Sequence, residues 1–158
     1  MIYDPAYGYL LLAMVLGAVV GWERFLDHKP AGLRTHTLVS MGAAGVMIAA
    51  RGMMGDDPAA HREMSRVVQG VITGIGFLGA GSILQSGGNV RGLTTAASIW
   101  IVAAIGVAAG VGQVGYAVAL TVATWVVLRG FRGIEQAWLK RHPRRHPQAR
   151  RPETIDRS

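Results

Sequence analysis

The stretch from Gln69 to Leu84, QGVITGIGFLGAGSIL, constrains this chain more than any other. It holds five glycines, an alanine and no charge, among mostly apolar residues. In water each interior glycine would weaken a helix by about 0.8–1.0 kcal/mol relative to alanine. In a bilayer no water competes for backbone groups, so the helix is enforced, and small residues let neighbouring helices approach closely. Gly70 and Gly74 are four apart, as are Gly76 and Ala80, which lays out a flat strip for a partner helix. Gly79 and Gly81 belong to the same packing set. The competing reading is a glycine-rich loop or nucleotide-binding turn, but no strand pattern precedes the segment and no GxxxxGK followed by Ser or Thr comes after it.

Charge placement points the same way. Charged residues make up 16% of the 158, against roughly 25% in a soluble domain, and they gather in short segments between long neutral stretches. The net charge of +7 does not imply nucleic acid. Nine of the sixteen Lys and Arg lie at or after Arg129, beyond the last apolar run, where a basic tail anchors to anionic lipid. Without cysteine, thiol and disulfide chemistry are excluded. Met1 to Gly8 carries Asp4 and no Lys or Arg, so it does not read as a cleaved signal.

Five spans are expected, each near the roughly 20 residues that cross a bilayer: about Tyr7–Phe25, Leu33–Met53, Val67–Leu84, Leu93–Gly110 and Gln113–Leu128. A tight turn around Val111 to Gly115 makes the last two a hairpin. Small residues recur at Ala13, Gly17 and Gly21, at Gly106 and Gly110, and at Gly42 and Gly45, which predicts a closely packed all-α transmembrane bundle without a wide pore. Arg24, Lys29, Arg34, Arg91 and the tail fall on one side, and Arg51, Arg62 and Arg66 on the other. The positive-inside rule then puts the N-terminus outside and the C-terminus in the cytoplasm. The transmembrane domain is expected over 1–128 and a basic cytoplasmic tail over 129–158. In that tail Phe131, Ile134 and Trp138 suggest a short interfacial helix, and the proline-broken run from His142 suggests disorder.

Candidate chemistry collects at the inner ends of the spans. Glu23, Arg24, Arg34, Asn89, Arg91, Thr94 and Thr95 fall near one level, with Glu23 able to pair with Arg34 or Arg91. Each arginine alone reads more readily as an interface anchor, and only the group taken together reads equally as a shared site. No nucleophile–base–acid set is visible, no cofactor motif occurs, and His36 with Ser40 four residues on lacks an acid, so the chain reads as non-enzymatic. Ser98 is a weak signal, because such hydroxyls bond their own helix. The alternative is a carrier or channel for Mg²⁺ or another cation, using Glu23 with Asp27 at one mouth and Asp56 with Asp57 at the other. No carboxylate lies within the middle of any span to support it. The expected partners are the bilayer and other membrane proteins or a second copy.

Several segments together resemble the MgtC/SapB family of bacterial inner-membrane proteins. They are Gly21-Trp22-Glu23-Arg24, Ala31-Gly32-Leu33-Arg34-Thr35, Gly74-Ile75-Gly76-Phe77-Leu78-Gly79-Ala80-Gly81 and Asn89-Val90-Arg91-Gly92-Leu93-Thr94-Thr95-Ala96-Ala97, followed by Trp100 and Ala104-Ile105-Gly106. The resemblance implies a membrane domain of about five helices. It also implies roles in magnesium homeostasis under low Mg²⁺, in stress adaptation to acid, in virulence, and in modulating membrane machines such as the F-type ATP synthase. Longer members carry an ACT-like cytoplasmic domain; only about thirty residues follow Leu128 here, so the short form is expected. The family often has Asn where Thr94 stands.

Overall fold

The computed structural model describes residues 4–54, 60–86 and 89–141. Five helices run α1 Pro5–Leu26, α2 Leu33–Met54, α3 Ala60–Gly81, α4 Leu93–Gly110 and α5 Val114–Arg141. Asp4 caps α1, accepting from the Ala6 N–H at 2.9 Å, and Pro5 opens the first turn, where its missing N–H costs nothing. α4 is apolar all round, as a helix must be to sit inside a bundle, and it packs against all four others. Its Val102, Ile105, Ala108 and Ala109 meet Ala13, Leu16 and Val20 of α1, Ala44 of α2 and Ala117 of α5 in the core.

Four helices, α1, α2, α4 and α5, are long and apolar enough to cross a membrane. The third expected span, Val67–Leu84, falls in α3 only as far as Gly81, and α3 is less apolar than the crossing stretches of the other four because Arg66, Gln69 and the glycines dilute its apolar residues. Its Arg66 pairs with Glu63 one turn earlier at 3.4 Å, both exposed, so this pair contributes little.

Two features depart from the sequence reading. A small antiparallel hairpin links α3 to α4, β1 Leu84–Ser86 pairing with β2 Asn89–Arg91 in the register Leu84↔Arg91 and Ser86↔Asn89. The fifth span and the expected interfacial helix are also one element, since α5 runs unbroken through Leu128 to Arg141. The segment carries glycines but no proline before Pro143, so its change in polarity ends the apolar face without ending the helix. The expected disordered run from His142, and the Asp56–Asp57 pair, lie outside the described residues.

The glycines divide into two groups. A Cβ at Gly17 would stand 2.6 Å from Ser40 Cβ, and one at Gly21 would stand 2.8 Å from Leu33 Cα, so both seat α2 against α1. One at Gly110 would stand 2.7 Å from the Ala44 carbonyl oxygen, and one at Gly106 would collide with the Ser40 carbonyl, so both seat α2 against α4. At Gly70, Gly74, Gly76 and Gly81 a Cβ would meet nothing within 4 Å, and at Gly42 and Gly45 the same holds. Gly79 alone of the α3 set faces inward, at 3.8 Å from Ala96, while Ala80 is exposed.

Candidate functional site

The close approaches at Gly17, Gly21 and Gly106 bring polar groups of three helices together at the end of the bundle where α1 stops and α2 and α4 begin. Glu23 is 1% exposed and Arg24 3%, although they are consecutive in α1. The Arg24 guanidinium donates from Nη2 to Thr95 Oγ1 of α4 at 3.4 Å. His36 of α2 is fully enclosed. Its Nδ1 lies 2.9 Å from the Gly32 carbonyl oxygen and its Nε2 3.0 Å from Ser98 Oγ. The Ser98 hydroxyl also lies 2.8 Å from the Thr95 carbonyl oxygen.

The donors in this chain are countable. A carbonyl only accepts, so Nδ1 facing Gly32 carries a proton. Nε2 then has two possible roles toward its one partner, Ser98 Oγ. In a neutral ring it accepts from the Ser98 hydroxyl. In an imidazolium it donates to Ser98 Oγ, and that hydroxyl turns its single hydrogen to the Thr95 carbonyl. The geometry accommodates either protonation state of His36 with a hydroxyl rotation alone. Ser40, also enclosed, has no hydrogen-bond partner at Oγ among the described residues.

Beside this interior chain lies an open cleft of about 940 Å³. Arg24, Asp27, Lys29, Arg91, Thr94 and Thr95 line its polar side, and Leu93, Val127, Leu128 and Phe131 its apolar side. Gly92 makes the turn from β2 into α4 at φ +91°, a left-handed conformation that suits glycine. A Cβ there would also run into the Ser82 carbonyl.

The expected inner-face cluster is therefore distributed over three places. Arg24 and Thr95 bond each other in the interior, and with Arg91 and Thr94 they line the cleft. Glu23 is interior, whereas Arg34 and Asn89 lie exposed and outside the cleft lining. His36 and Ser98 carry the innermost bond, which the sequence reading passed over. The two residues are 62 apart in sequence, and only the i−4 spacing of His36 to Gly32 was available locally. Of the proposed cation pair, Glu23 is enclosed and Asp27 is half-buried at the cleft. Among the described residues no group of three or more His, Asp and Glu is arranged around a common point for a metal.

Comparison with known proteins agrees with this architecture. The MgtC family profile matches residues 10–137. Protein SrpB of Synechococcus elongatus is 45% identical over 141 residues, covering 83% of this chain and 78% of its own. Protein MgtC of Brucella abortus is 46% identical over 110 residues, 70% of this chain and 44% of its own. Protein MgtC of Salmonella typhimurium is 44% identical over 122 residues, 77% of this chain and 50% of its own. The chain thus spans about half the length of these MgtC relatives. No solved structure matches it.

Proposed function

The chain belongs to the MgtC family of membrane proteins, and on that premise we propose that it works without catalysis, by helix contact with other membrane proteins or with a second copy of itself. The outward face of α3 carries this reading. Gly70, Gly74, Gly76 and Gly81 meet nothing in van der Waals range, while Phe77 beside them is exposed. Gly17, Gly21, Gly106 and Gly110 are consumed by internal packing, whereas the α3 glycines stay open and let a neighbouring helix approach closely. The role the family resemblance implies is adaptation to low Mg²⁺ or acid, including within a host. The setting is the bacterial inner membrane. Arg24, Lys29, Arg34 and Arg91 sit at one end of the bundle and Arg51 and Arg66 at the other, which supports an outside N-terminus and a cytoplasmic C-terminus.

Crosslinking in native membranes tests the contact. Gly74→Leu and Gly76→Leu are expected to remove the crosslinked partner without destabilising the monomer against unfolding, because a Cβ at either position meets nothing in this chain and helix propensity favours leucine over glycine. Unaltered crosslinks in both variants would sink the reading.

Cation transport is the second reading, favoured by the burial of Glu23 inside the bundle. Proteoliposomes holding a Mg²⁺ dye separate the two: flux that disappears in Glu23→Gln supports transport, and no flux under any gradient removes it.

A further inference from the structure

The cleft between the α1–α2 loop, β2, α4 and α5 has the chemistry of a lipid phosphate site. Three cations line it, Arg24, Lys29 and Arg91, against one carboxylate, Asp27, with His28 beside them. The start of α4 opens into it, and its N-cap residue, Gly92, supplies no side-chain cap. The N–H groups of the opening turn have no partner within the helix, and with the positive end of the helix dipole they favour an anion. Thr94 and Thr95 add hydroxyls at the same level.

A soluble anion would account for only half of the cleft. Its other wall is Leu93, Val127, Leu128 and Phe131, and Phe131 is 64% exposed. These α5 residues are the last turns of the membrane-crossing stretch Val114–Phe131, the depth at which headgroup gives way to acyl chain. We propose that the cleft binds the phosphate of an anionic phospholipid, with Lys29, Arg91 and the α4 N-terminus around the phosphate, the enclosed Arg24 behind them, and an acyl chain along Val127, Leu128 and Phe131. A zwitterionic lipid brings an ammonium group among three cations and is disfavoured.

Native mass spectrometry of the purified full chain, released from micelles doped with phosphatidylglycerol or phosphatidylcholine, reads this directly. Wild type is expected to retain phosphatidylglycerol in preference. The double variant Lys29→Gln/Arg91→Gln removes two exposed cations without touching the core, and should weaken retention about 30-fold at the usual strength of basic residues near anionic lipid. The pair Arg51→Gln/Arg66→Gln removes equal charge from the opposite end and should retain the lipid. Phe131→Ser should lower retention with all charges in place. Equal retention by the cleft variant and wild type overturns the proposal, as does equal loss in both charge pairs, which would mean diffuse attraction. In a thermal melt, protection by inorganic phosphate as great as that by phosphatidylglycerol would also overturn it, leaving an anion site without a lipid.

Discussion

Replacing Gly17 by alanine isolates the energy of the α1–α2 contact. The new Cβ would lie 2.6 Å from Ser40 Cβ, 2.8 Å from the His36 carbonyl oxygen and 3.2 Å from Thr37 Cα. Carbon atoms rest about 3.5–4.0 Å apart, so α1 must retreat by about 1 Å. The struck atoms are backbone or Cβ and cannot rotate away. Overpacking of this kind costs about 1–3 kcal/mol. Helix propensity acts in the opposite sense, alanine being favoured over glycine by about 0.8–1.0 kcal/mol. The same substitution at Gly74, where a Cβ meets nothing within 4 Å, keeps the propensity gain and lacks the collision. Subtracting one variant from the other cancels propensity and leaves about 1–3 kcal/mol of packing. Equilibrium unfolding in mixed micelles of rising dodecyl sulfate fraction, followed by circular dichroism, gives both midpoints. Gly17→Ala should unfold at the lower fraction and Gly74→Ala at or above wild type. Equal midpoints would refute the claim that one glycine is spent on internal contact and the other is open.

Two further outcomes follow from the same geometry. Ser98→Ala removes the hydroxyl facing His36 Nε2 in a fully enclosed site, and should cost about 1–3 kcal/mol in the same unfolding measurement; a wild-type midpoint would mean that Ser98 does not hold the ring. Gly92→Ala forces a side chain into a left-handed position, at about 1–2 kcal/mol, and against the Ser82 carbonyl. It should make the segment between α3 and α4 more open to limited proteolysis, and unchanged cleavage would contradict the tight turn.

The helices were legible because apolar runs of bilayer length leave the chain few alternatives, and Leu33 and Leu93 start their helices where the sequence placed them. The end of α5 was not, since a drop in apolar content resembles a helix end when only the membrane-facing stripe has stopped. The hairpin escaped notice although Gly87 and Gly88 stand between its short strands, the composition a tight hairpin turn favours. The small-residue repeats predicted close packing but not its location. Spacing of four looks alike at Gly17–Gly21, which is filled by α2, and at Gly70–Gly74, which is open. The His36–Ser98 bond joins two helices whose relative rotation no local pattern encodes. In the candidate cluster, a residue's place in the spans indicated its end of the bundle, while inward or outward direction depended on that same rotation.

The unbroken course of α5 has a mechanical consequence. Its 28 residues make a rod of about 42 Å, longer than the roughly 30 Å of hydrocarbon it must cross. With no break in the rod, a push on the projecting tip tilts the whole shaft. Val127, Leu128 and Phe131 belong to that shaft, so the wall of the crevice and the tip are parts of one rod.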